Sequence, residues 1–103
     1  MKWIIDTSEV LGTVEVPEGL CELCASAVAS FDEAAGRVVV NLGAFLRPTD
    51  LLAKERHFDA DWLPKNETIT ESVAREECHE VARDILNRWG RKVREAAPQL
   101  HPV

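Results

Sequence analysis

The sequence predicts an α+β fold: a small sheet of about three strands packed against two to three helices, with a long C-terminal amphipathic helix. Three observations carry this expectation. Arg37-Val38-Val39-Val40-Asn41-Leu42 is a β-branched run bounded by Gly36 and Gly43. Apolar residues recur at helical spacing from Leu20 to Phe31. A longer stripe of the same period runs from Ala74 to Ala96.

Trp3-Ile4-Ile5 reads as a short buried strand, followed by a polar break at Asp6-Thr7-Ser8-Glu9. From Val10 to Val16, the even positions Val10, Val14 and Val16 are apolar around Thr13 and Glu15. Alternation of this kind suggests a second strand with one wet face, although Gly12 interrupts it and Leu11 is out of phase. The two segments are expected to form an antiparallel hairpin.

Pro17 and Glu18 suit the first turn of a helix, where a missing N–H is harmless and negative charge meets the positive dipole end. Leu20, Leu23, Cys24, Ala27, Val28 and Phe31 then share one helical face, and Gly36 supplies a stop. The run after Gly36 is expected to be a central strand, buried on both faces. Pro48-Thr49-Asp50 can open a short helix through about Arg56. His57 to Glu67 reads as a packed polar loop anchored by Phe58 and Trp62 and closed by Pro64.

Thr68-Ile69-Thr70-Glu71 matches a capping box, so the last helix is expected to begin there and end before Pro98. A helical wheel places Ala74, Cys78, Val81, Ala82, Ile85, Leu86, Trp89, Val93 and Ala96 on one side. Glu76, Glu77, Glu80, Asp84, Arg91 and Arg94 fall opposite. Glu71 with Arg75 and Asp84 with Arg88 stand four apart in the favourable order. About 29 residues would make a rod of roughly 43 Å, against a diameter of roughly 34 Å for a compact chain of this length. Either the helix breaks at Gly90, or its apolar stripe requires cover from a second subunit or another protein. Val81, Ile85, Trp89 and Val93 are the expected partner-binding residues.

The 103 residues suit one domain, 1–103, with 46% apolar and 29% charged side chains. A net charge of −6 disfavours nucleic acid, because phosphate binding needs clustered cations to displace counterions. The cations that do crowd together are Arg83, Arg88, Arg91, Lys92 and Arg94, and a basic last turn also complements a helix dipole. No apolar run approaches the ~20 residues of a membrane span, and the Met-Lys-Trp-Ile-Ile-Asp start is too short for a signal-peptide core. Three cysteines without an export signal point to free thiols in a reducing cytoplasm.

Three groups of residues invite chemistry. Cys21-Glu22-Leu23-Cys24 has the spacing of a zinc or redox pair, with Cys78, His79, His57 and His101 as further ligands. Both Cys24 and Cys78 also sit on apolar helical faces, where free cysteine serves as a small hydrophobe. Glu76-Glu77-Cys78-His79-Glu80 resembles the E-E-x-x-E cluster of all-helical nucleotide pyrophosphohydrolases of the MazG type. That resemblance implies magnesium binding on a helix, but it covers five residues only, and no second acidic pair follows. Glu76 and His79 also match half of a di-iron helix motif. His57-Phe58-Asp59-Ala60-Asp61 could gather a cation in a loop. No glycine-rich phosphate loop or nucleophile elbow occurs.

The sequence therefore implies no cofactor. It favours a non-enzymatic interaction or regulatory module, a homo-oligomer or one with a protein partner, that self-associates through the last helix. A small metal-binding protein or metal-dependent enzyme built on Cys21/Cys24 or Glu76–Glu80 is the alternative.

Overall fold

The computed structural model describes residues 4–50 and 56–102. Five antiparallel strands form one sheet: β1 (Ile4–Val16), β2 (Gly19–Asp32), β3 (Arg37–Pro48), β4 (Glu67–Ser72) and the two-residue β5 (His101–Pro102). Their spatial order is β4-β3-β2-β1-β5. A 3-10 turn, Arg75–Glu77, leads into α1 (Cys78–Ala96). The fold is α+β, but the expected three strands and two to three helices are corrected to five strands and, among the described residues, one α-helix.

The first strand is longer than its sequence suggested. Asp6 to Glu9 continue β1 instead of breaking it, and a bulge between Val10 and Gly12 absorbs Leu11. The bulge explains why Leu11 is out of phase: an extra residue resets the alternation, so Ile5 before it and Val14 after it lie on the same side. No hairpin forms within residues 4–16. Trp3 lies outside the described residues.

The largest correction concerns residues 19–32, which form β2 and not a helix. Cys21, Leu23, Ala25, Ala27, Ala29 and Phe31 alternate inward and are all buried. Pro17 and Glu18 occupy the two-residue turn between the paired Val16 and Gly19, where Gly19 takes φ 133°. Gly36 adopts φ 61° in the next hairpin, and the Asp32 carboxylate accepts from the N–H groups of Ala34 and Ala35 at 3.1 and 3.3 Å. Fixed φ at proline, and left-handed backbone at glycine, serve turns as readily as helix ends. The strand expected at Arg37–Leu42 is the first half of β3, inside the sheet, but its expected burial on both faces is corrected to one: Val38, Val40 and Leu42 are buried, while Val39 is half-buried and Asn41 exposed on the other side. Of the short helix expected from Pro48 to Arg56, residues 51–55 lie outside the described residues, and Pro48 closes β3.

Thr68–Glu71 does not cap a helix; it is the middle of β4. The Thr68 hydroxyl donates to Asn41 Oδ1 at 2.8 Å, across to β3. Arg75 pairs with Glu33 at 3.2 Å, and not with Glu71 as its spacing suggested. The helix proper has 19 residues, hence a length of about 28 Å. It continues through Gly90 without a break and ends where Pro98 required.

Ala82, Ile85, Trp89 and Val93 are buried in the core that β2 and β3 floor, and Cys78 is buried at the start of the helix. Trp89 Nε1–H donates to the Gly43 carbonyl at 2.9 Å, just where β3 runs past its last pairing with β4. Fourteen residues of β2 at about 3.3 Å each span roughly 46 Å, so the helix covers only part of the sheet. Beyond it, Phe58, Ala60, Trp62 and Leu63 pack on the same core, and Phe58 N–H bonds to the Leu46 carbonyl at 3.1 Å. The molecule is accordingly long, 46 × 26 × 22 Å.

Candidate functional site

The residues singled out in the sequence are dispersed by the fold. In a strand, positions three apart point to opposite faces. Cys21 therefore enters the core, on the side of the sheet that carries the helix, whereas Cys24 sits on the other side of β2, between Val10 and Phe45 in adjacent strands. The two thiols cannot grip one ion together. Burial, reinforced by the charge of Glu18, pushes the Cys21 thiol up from its ordinary 9.0. Cys78 is buried at the start of α1.

Glu76 and Glu77 lie in the 3-10 turn, with His79 and Glu80 exposed in the first turn of α1. The His57 ring stacks on Phe45 with centroids 4.7 Å apart, while Asp59 and Asp61 line a recess with Glu15, Val16, Glu18 and Trp62. Among the described residues, no three His, Cys, Asp or Glu side chains are placed to hold a metal ion. Among the basic residues, Arg88 pairs with Asp84, Lys92 with Glu67, and Arg94 with Glu9 at 3.7 Å. No described helix is long and apolar enough to cross a membrane.

The expected partner-binding stripe is now accounted for. Ile85 and Trp89 are 3% exposed and Val93 0%, all within the chain's own core, and Val81 is half-buried. What the sheet leaves open is its other face. Along β2 and β3 the residues turned away from the helix are Cys24, Ser26, Val28 and Ser30, beside Val39, Asn41, Gly43 and Phe45; Val28 and Asn41 are exposed, Cys24 is buried, and the rest are half-buried. None of these eight is charged, in a chain with 29% charged residues. Charges return only at the ends of this strip: Glu22 pairs with Arg47 at 3.5 Å, and Asp32 stands beside Arg37 at the hairpin.

The register sorts the strip into rows. Val10, Cys24 and Phe45 make an apolar ridge across three strands, extended by His57. Ser8, Ser26 and Gly43 form a shallow row of small residues beside it. Val28 follows, 38% exposed, between Asp6 and Asn41. No described helix or strand lies over this surface, although His57 covers Phe45 at one end and the Asn66 side chain stands beside Gly43. Alternation along β2 and β3 could have revealed it, had residues 19–32 been read with period two.

A second opening lies on the helix side, where β4 projects past α1. Leu42, Ile69, Ile85 and Trp89 floor a cavity of about 110 Å³, walled by Glu67, Lys92, Glu71 and Arg88. It adjoins a wider acidic recess that shares Glu71 and Arg88. No family model, curated protein or solved structure matches this chain.

Proposed function

We propose that the chain is a non-enzymatic protein-interaction module that self-associates through the open face of its sheet. The observation that supports this reading is the uncharged strip on β2 and β3. One-sided antiparallel sheets ordinarily turn polar and charged residues outward, and depletion of charge is what sets the core of a protein interface apart from ordinary surface. A second copy suits the strip, because the facing residues of β2 and β3 carry no charge and the flanking Glu22–Arg47 pair is already neutral, while Asp6 of β1, beside Val28, stands at the strip's margin. Sheets stack face to face about 10 Å apart, offset by about 30°. The uncharged strip alone offers roughly 220 Å² in projection and the whole face of β1 to β3 roughly 600 Å², so two copies reach the order of 1,200 Å², the lower end of specific interfaces, only by burying the flanking residues as well. The surface assigned here is the sheet, since the helix stripe is spent within the chain.

Light scattering tests the reading. A dimer mass at micromolar concentration is expected, falling to the monomer mass in the Val28→Asp chain, which places a carboxylate in the middle of the strip. A wild-type monomer at every concentration would refute it.

A further inference from the structure

The structure assigns the free edge of β4, with the groove between β4 and α1, as a docking site for an extended peptide segment carrying an apolar side chain and basic residues. This site is separate from the open face. The inference rests on three features that coincide along one line.

The first is the edge. Among the described residues, β4 pairs only with β3 and is the last strand on its side of the sheet. Its outer N–H and C=O groups form a template for another strand. Glu67-Thr68-Ile69-Thr70-Glu71-Ser72 contains no proline and no lysine, and no bulge interrupts its pairing with β3. Those are common devices for blunting an edge.

The second is the cavity. Because α1 lies over β2 and β3, the inward side of β4 is left as a step, with Ile69 half-buried above Leu42, Ile85 and Trp89. A strand added beside β4 would turn alternate side chains toward this step. One of them, apolar, fills the 110 Å³ opening.

The third is charge. The groove continues past Glu71 into the recess formed by Glu77, Glu80, Val81, Arg83, Asp84, Asn87 and Arg88. Lys92 answers Glu67 and Arg88 answers Asp84. Glu71, Glu77 and Glu80 then outnumber Arg83, even with the half-charge of the helix N-terminus set against them. Lysine or arginine on the peptide matches this end of the groove. A second copy does not: in the symmetric register centred on Ile69, Glu67 of each chain would face Glu71 of the other, and like charges opposite one another destabilise a pair.

A fluorescein-labelled peptide of alternating leucine and threonine, with two lysines at each end, provides the probe. Fluorescence anisotropy should show saturable binding that weakens with salt, and amide shifts in the NMR spectrum should concentrate on residues 67–72. The doubly substituted Glu77→Lys, Glu80→Lys chain should bind it about tenfold more weakly, the factor two exposed ion pairs supply within their usual strength. That chain should gain affinity for the same peptide ended with glutamates. Val28→Asp should leave peptide binding unchanged, so failure of the open-face reading and failure of this one are told apart. No binding by the folded wild-type chain, shifts centred away from β4, or an affinity indifferent to both charge reversals would overturn the assignment.

Discussion

At the scale of single residues, two close approaches decide how the ends of the sheet are held. A Cβ on Gly12 would lie 2.5 Å from the His101 carbonyl and 2.8 Å from Leu100 Cδ1. Gly12→Ala must therefore push β5 off the β1 edge, and overpacking of this kind costs about 1–3 kcal/mol. Urea unfolding, and faster proteolysis of the last residues, would register it. Trp89 both fills the core and satisfies the Gly43 carbonyl. Trp89→Phe should lower stability by about 1–2 kcal/mol through the lost hydrogen bond, and Trp89→Ala by about 3–5 kcal/mol through the cavity as well. Equal losses in the two variants would show that the bond contributes nothing. For Cys21, the raised thiol pKa means the folded state favours the neutral form. That contribution is fully present below the unfolded pKa and is lost as pH rises through the folded one, so stability should fall above about pH 9. Substituting Cys21 with alanine should remove that slope. Native cysteines should resist alkylation until the chain unfolds, since all three are buried.

At the scale of elements, β2 shows why part of the fold was illegible. Leu20, Leu23, Cys24, Ala27, Val28 and Phe31 fit a helical face, while Cys21, Leu23, Ala25, Ala27, Ala29 and Phe31 fit one side of a strand. Alanine is weak evidence for strand and strong for helix on propensity alone. What decides is tertiary: β2 is flanked along its length by β1 and β3. The β-branched run of β3 carried its own signal, and so did the spacing Cys78-Ala82-Ile85-Trp89-Val93, which fixed the buried face of α1 correctly. The start of α1 was misplaced because Thr68 and Glu71 satisfy a capping pattern as well as a strand, and Asn41, far off in sequence, claims the threonine. The uncharged face became visible only once the pairing register was known. If Gly36 is needed for its left-handed turn, Gly36→Ala should cost about 1–2 kcal/mol in thermal unfolding, with no loss of space to blame, since nothing lies within 4 Å of the added carbon.

At the scale of the whole molecule, the helix and the segment from Phe58 to Leu63 divide the labour of covering one side of the sheet, and no described helix or strand covers the opposite side. A chain cut after Ser72 keeps four strands but loses Ala82, Ile85, Trp89 and Val93 from the core. It should fail to fold and should associate nonspecifically, which circular dichroism and light scattering would reveal; a monomeric, cooperatively melting fragment would show that the sheet is stable without its helix.

The strands β1 to β4 neighbour one another in the order in which they occur along the chain. Each hairpin can close as soon as its second arm has been synthesised, yet the helix that shelters much of one side is made after β1 to β4. At about 5–20 residues per second, the stretch from Val73 to Ala96 takes roughly 1–5 s to translate. For that interval a nascent chain holds out a greasy ribbon with two bare margins, the form most apt to be caught by a chaperone or by its own neighbours on the same message.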